Sequence, residues 1–191
     1  RAPGARGSPT QAGPSDQASL DWRRDFVRTF LERDLGTLGI SVPPPTLRRY
    51  WTMLAHVHGQ ILNWSELGRS MGVSNHAVQR YAGYLAGALV VQILQPWHEN
   101  ISKRQVKAPK LYIRDSGLLH SLLDIGTIEQ LDVSPHSAAS WEGFAIAQLL
   151  AHIAAPPEQC FFWATHQGAE LDLRAANDTL DAERPRNATP R

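Results

Sequence analysis

The stretch Ser65–Leu85, SELGRSMGVSNHAVQRYAGYL, decides how the rest of the chain is read. Ser65 is a residue type that caps helices, and SELGRSMG follows with Leu67 and Met71 at helical spacing. Gly72 supplies a tight turn. Ser74 then caps a second helix, SNHAVQRYAGYL, whose inward face is Val78, Tyr81, Ala82 and Leu85. Two short capped helices joined at a glycine, behind a longer helix, spell a helix-turn-helix.

Working toward the N-terminus, Leu47, Tyr50, Trp51, Leu54 and Val57 mark one face of that longer helix, which Gly59 ends. The run VPPPT, Val42–Thr46, separates it from an earlier helix in which Trp22, Phe26, Phe30 and Leu31 recur at helical spacing. Residues 1–18 are rich in Gly, Pro, Ser and Ala and are expected not to fold alone. Toward the C-terminus, Leu89–Gln95 reads as a strand and Leu111–Ile113 as its returning partner. The polar and basic PWHENISKRQVKAPK between them suits a wing. A short helix at Leu118–Leu123, a loop to Ala139, and a helix at Ser140–His152 follow. Phe161–Trp163 and Ala169–Leu173 look like two strands joined at His166–Gly168, and nothing is assigned after Leu180. The expected fold class is α+β. It divides into a leader (1–19), a linker helix (20–41), a winged helix-turn-helix (43–115), a small α/β unit (116–180) and a disordered tail (181–191).

Composition narrows the function classes. Hydrophobic residues make up 42% of the 191 residues, enough for a real core. The net charge of +1 excludes a globally basic coat protein but leaves room for a local basic patch. Cys160 is the sole cysteine, so no internal disulfide is possible, and no Cys/His zinc spacing occurs. The most apolar run, Leu85–Leu94, is about half the length needed to span a bilayer, and Arg1 and Arg6 precede no apolar signal region. A cytoplasmic protein with no membrane partner is expected.

On the helix after Ser74, His76, Gln79, Arg80 and Gly83 lie opposite the apolar face, with Asn75 at the exposed N-terminal end. Asn and Gln can pair with adenine and Arg with guanine, so this face suits the major groove of duplex DNA. From Glu99 to Arg114, Lys103, Arg104, Lys107, Lys110 and Arg114 stand against one acid, a phosphate-binding footprint beside it. The competing reading is an ordinary solvated surface, or a winged helix that docks a protein partner or a second copy. Tyr81 and Trp51 are expected in the core, His56 and His58 as one surface and one packed histidine, and Cys160 as buried and inert.

Further on, Glu142 shares a face with Ala145, Ile146, Leu149 and Ile153, a costly place for a carboxylate unless it is paired or used. Glu170 and Asp172 are two apart on a strand and project from one face. A helical Glu and a strand Asp are how a magnesium-dependent nuclease begins to gather oxygen ligands, so Glu142 and Asp172 are the candidate metal and catalytic residues. Such a site normally adds Glu-x-Lys on the next strand, and no lysine follows Lys110. The competing reading is an inert nuclease-like sheet with surface acids, its edge exposed after Asp172.

The run DWRRDFVRTFLERDL (21–35), the block from Thr46 to Leu85, PWHENISKRQVKAPKLYIRDSGLLHSLL (96–123), WEGF (141–144) and GAELDL (168–173) together resemble a bacterial and archaeal family. These are predicted AAA-type ATP-binding proteins with a C-terminal domain of unknown function, number 4143. The resemblance spans Asp16 to Leu173. It implies an N-terminal ATP-binding half, followed by a winged helix and a fold similar to PD-(D/E)XK nucleases, with ATP and magnesium as cofactors of the intact family. By that likeness Glu142 matches the helical acid and Asp172 the strand acid. Here no G-x-x-x-x-G-K-[S/T] loop occurs, so this chain is expected to hold no ATP site and to hydrolyse no ATP. The pattern is also left just after Leu173, so the nuclease-like unit is expected to be incomplete, as in a fragment or a frameshifted remnant.

Overall fold

The computed structural model describes residues 16–37, 40–97, 106–153 and 156–175. The chain is α+β, with helices packed on a mixed four-stranded sheet. Among the described residues no helix is long and apolar enough to cross a membrane.

Helix α1 (Asp16–Thr29) passes into a π-helical turn (Phe30–Asp34) and a last turn, α2 (Leu35–Thr37). The wide turn, closed by Leu35 N–H donating to Phe30 O, lets Phe30, Leu31 and Leu35 all reach the core. Trp22 does not join them. It is 65% exposed, and the rings of Trp22, Phe26 and Phe30 stack in a file that leads out to solvent. Helix α3 (Pro44–His56) starts on proline, which lacks the N–H that a first helical turn leaves unused. It buries Leu47, Tyr50, Trp51, Leu54 and Ala55, and the Tyr50 hydroxyl donates to Val78 O at 2.7 Å.

Helix α4 (Trp64–Met71) begins earlier than its serine suggests. Asn63, not Ser65, is the cap, its side-chain oxygen accepting from Glu66 N–H at 3.1 Å. Gly72 turns the chain with φ +71°, and α5 (Asn75–Gly87) is capped by Ser74, whose hydroxyl accepts from Ala77 N–H. At its far end Leu89 takes φ +60°, with Leu89 N–H donating to Ala86 O and Val90 N–H to Leu85 O. That is a Schellman closure with leucine where glycine is usual. It delays the strand, so β1 is Val91–Pro96 rather than starting at Leu89.

Strand β2 (Lys110–Ile113) pairs antiparallel with β1, Val91 opposite Ile113 and Leu94 opposite Lys110. Helix α6 (Ser116–Leu122) is capped by Asp115. The stretch read as loop holds one short helix, α7 (Ile128–Asp132), capped by Thr127, and α8 begins three residues early (Ser137–Ile153). A 3-10 turn (Pro157–Gln159) leads to β3 (Cys160–Ala164), and β4 (Glu170–Ala175) returns antiparallel to it. The sheet order is β2-β1-β3-β4, with β1 and β3 parallel through Gln95–Phe161 and Pro96–Phe162.

Alternation along the sheet separates two cores. Leu111 and Ile113 face the helices of the N-terminal half, in one cluster with Trp51, Leu54, Val78 and Leu85. Leu94 and Tyr112 face the other way, toward Ile146 of α8 and Cys160, Phe162 and Ala164 of β3. Lys110 lies on that second face.

Leu89 is 68% exposed, so its left-handed backbone is strain with little burial to offset it. Leu89→Gly is expected to raise stability by about 0.5–1 kcal/mol, read as a higher urea midpoint at unchanged slope. An unchanged or lower midpoint would count against the closure described.

Candidate functional site

The Lys110 side chain reaches across the second face of the sheet into a ring of carboxylates. Its ammonium lies 3.3 Å from Glu142 Oε1 on α8 and 3.2 Å from Asp172 Oδ1 on β4, and it also pairs with Glu170. Lys110 is 4% exposed, and its ammonium lies 6.0 Å from the ring centroid of Tyr112 and 5.8 Å from that of Phe162. The acids keep more water, with side chains 30%, 39% and 52% exposed for Glu142, Glu170 and Asp172. Burial disfavours the charge on Lys110, but hydrogen bonding to Glu170 and the charge of Glu142 outweigh it, so its pKa is raised. The ammonium is therefore a permanent cation at the centre of the cluster.

Tyr112, the neighbour of Lys110 on that face, donates its hydroxyl to Glu142 Oε1 at 2.5 Å. Burial first, and the Glu142 carboxylate next, push the phenol pKa well up, so it stays a donor. Glu142 thus receives two donors from one strand. Helix α8 comes this close because residue 143 is glycine, where a Cβ would overlap the His58 ring. His58 is buried, accepts from Ile113 N–H at Nδ1 (2.9 Å) and donates from Nε2 to Ala139 O (3.1 Å), which requires the neutral ring. Burial lowers its pKa to about 4; the Ala139 hydrogen bond opposes this, and the charges of His120 and His136 add to it.

The structure thus brings Glu142 and Asp172 together, with Glu170, but around a lysine that the sequence counts among the basic residues between Glu99 and Arg114. Lys110 is a correction to the basic footprint: a buried, triply paired ammonium cannot contact a phosphate backbone. The cluster does not fit magnesium. That ion needs carboxylate oxygens at about 2.0–2.1 Å, and the space between these oxygens is filled by an ammonium. Among the described residues no group of acids, histidines or cysteines is arranged to hold a metal ion.

On α5, Asn75, His76, Gln79 and Arg80 are all exposed, on the side away from buried Val78, Tyr81, Ala82 and Leu85. Asn75 is fixed by donating to Ser65 Oγ at 3.1 Å. Lys107 is exposed, whereas Lys103 and Arg104 lie outside the described residues. Cys160 is buried, its thiol pKa raised by burial and then by the Glu158 charge. His56 is exposed and His58 buried. Tyr112 is a site residue that the sequence reading did not place, and Lys110 is one that it placed in the basic footprint instead. Their signal was alternation in KLYI, where Lys110 and Tyr112 share one face and Leu111 and Ile113 the other.

Residues 11–129 match a family model described as a domain of unknown function, DUF8612. The chain is 49% identical over 165 residues to an uncharacterized protein of Mycobacterium bovis, and to one of Mycobacterium tuberculosis with the same figures. The match takes in 86% of this chain but 37% of each relative, so the chain spans little more than a third of their length.

Two expectations follow from the geometry. Lys110→Met strands three carboxylates around an apolar side chain and should destabilise by roughly 2 kcal/mol, below a fully buried pair because the acids keep part of their hydration. Asp172→Asn, at the most exposed of the three, should cost less, and urea midpoints giving the reverse order would contradict the cluster. His58 has a folded pKa of about 4 against an ordinary 6.5. The unfolded chain therefore takes up that proton first, and the stability His58 provides is complete above pH 6.5 and is lost as pH falls toward 4. The loss should reach about 3 kcal/mol. Melting curves of His58→Gln across that window should be flatter than wild type, and equal slopes would exclude this role.

Proposed function

This chain belongs to the family described as a domain of unknown function, DUF8612, and within it we propose that the chain is a duplex-DNA-binding module of winged helix-turn-helix type. In this reading α3, α4 and α5 form the helical part, α5 is the recognition helix, and β1 and β2 carry the wing. Asn75, His76, Gln79 and Arg80 meet base edges, while Lys103, Arg104 and Lys107 meet phosphates. The observation that carries it is the exposed polar face of α5. His76, Gln79 and Arg80 make no side-chain hydrogen bond or ion pair among the described residues, so they are available to a ligand. The second part, α8 with β3 and β4, is proposed as an incomplete PD-(D/E)XK-like unit that serves as a support rather than a catalyst.

The resemblance to AAA-type ATP-binding proteins sets this module in a larger context. A whole member would couple DNA binding to an ATP-dependent partner domain, and the curated relatives are long enough to contain one. No ATP chemistry is proposed for this chain, because the phosphate-cradling loop is missing from its sequence.

The rival reading, magnesium-dependent cleavage at Glu142 and Asp172, draws on the meeting of those two acids with a lysine. It makes a separate demand: a plasmid should be nicked in the presence of magnesium, and Asp172→Ala should abolish that nicking. The proposal expects equal background in both proteins.

DNA binding is tested by fluorescence anisotropy with a mixed-sequence duplex across a salt series. Wild type should weaken steeply with salt, and Lys103, Arg104 and Lys107 changed together to alanine should flatten the slope by about three ions' worth. Arg80→Ala should instead lower affinity about tenfold on the preferred sequence and little on random DNA. Absence of binding at low salt would leave protein docking or self-association as the use of this surface.

A further inference from the structure

Beside α1 and α6 lie two adjoining depressions, together a groove that neither the α5 surface nor the lysine cluster uses. One part is a cleft of about 240 Å³, walled by Ser19 and Arg23 of α1, His120 of α6, and Gly126 and Thr127 beyond it. A second depression of about 310 Å³ shares His120 and Leu131 with the first and extends over Ser140, Trp141 and Phe144 of α8. No carboxylate lines either part, and Arg23 is the one residue of the lining with a permanent charge.

Arg23 is held ready. Its guanidinium packs against Gly117, where a Cβ would overlap it, and it makes no ion pair among the described residues. The neighbouring arginines Arg24 and Arg28 are paired with Asp124 and Asp25. His120 sits between the two parts, hydrogen-bonded to Ser140 Oγ at 2.7 Å. Burial, and then the Arg23 charge, lower the His120 pKa against the opposing charge of Asp115. At the far end Trp141 is 70% and Phe144 43% exposed, their rings 5.7 Å apart and tilted by 33°. An exposed tryptophan of this size is costly in water unless something covers it.

A lone arginine beside the Ser19 hydroxyl, in a lining that contains no carboxylate and ends on an aromatic pair, is complementary to an anionic ligand carrying a flat ring. We infer that this groove binds a nucleotide unit, its phosphate at Arg23 with the hydroxyl of Ser19 and its base stacked on Trp141 and Phe144. Stacking of this kind tolerates any base. The unit can come from a free mononucleotide or from a single strand, since both offer the same phosphate and ring. The inference does not rest on DNA binding through α5.

The test uses the full chain and NMR, following the His120 ring protons and the Trp141 indole N–H, with AMP, inorganic phosphate and a short oligothymidylate as probes. AMP should shift the Trp141 resonance and raise the His120 pKa, while inorganic phosphate should raise the His120 pKa alone. Arg23→Gln and Trp141→Ala should each weaken AMP about tenfold, the scale of one charge-assisted hydrogen bond or one stacked base. Arg80→Ala on α5 should leave AMP binding unchanged, which separates this site from the surface proposed above. Oligothymidylate binding far more tightly than AMP identifies a strand as the source, and equal affinities identify the mononucleotide. If AMP at about 10 mM, a concentration that registers even weak millimolar sites, moves neither resonance of the wild-type chain, the inference fails without reference to any variant. It fails equally if both folded variants bind as wild type does.

Discussion

The Lys110 ammonium is buried to 4% exposure, and its charge is answered from two elements that follow it by 32 residues, at Glu142, and by 62, at Asp172. A buried ammonium is costly to dehydrate and is held only when carboxylates surround it. That requirement fixes where α8 and β4 can lie relative to β2. On its backbone side Lys110 also bridges to Ile61, and Leu62 N–H donates to Pro109 O, so the segment before α4 is tied to the same strand end. One residue therefore connects the entry to the two capped helices with the carboxylates of the C-terminal half.

The sheet transmits the rest. Strand β1 belongs to the helical core at Val91 and to the second core at Leu94, and its last residues pair in parallel with β3. Trp97 N–H continues that ladder to Phe162 O, and Val106 N–H donates to Ala164 O. Helix α8 is then seated at its N-terminal turn by His58 on Ala139 and by His120 on Ser140. His58 does this as a neutral ring that is also bonded to β2, so the same side chain joins the turn after α3 to β2 and α8. The outer side of α8 is left with Trp141, Phe144, Leu149 and Ile153 in water, which is where a ligand or partner gains most by binding.

Legibility in the sequence followed the range of the interactions. The buried faces of α3 and α5, the Ser74 cap, the turn at Gly72 and the pairing of β1 with β2 are local or nearly so, and all were readable from spacing. Where two local choices competed, the reading slipped by a residue or two: Asn63 displaces Ser65 as cap, and Leu89 goes to the helix closure instead of the strand. Exposed aromatics misled most. Trp22 fits a helical stripe and yet stands in solvent, because the face that α1 buries runs through Leu20 and Val27 instead. Glu142, Glu170 and Asp172 were legible as acids in costly or aligned positions, but their common partner was not.

Residue order and spacing alone determined that this chain builds capped helices around a glycine turn, a returning pair of strands and a later helix bearing a carboxylate. Those features depend on neighbours three or four apart in a helix or two apart in a strand, which the sequence displays directly. Only the tertiary structure decided that Lys110 turns into the acids of α8 and β4, that β1 and β3 join the two pairs of strands into one sheet, and that Arg23 and Trp141 come to line adjoining depressions on either side of His120. Each of these brings together groups dozens of residues apart. Their partner choice is set by which charges the folded chain takes out of water, and no local pattern records that.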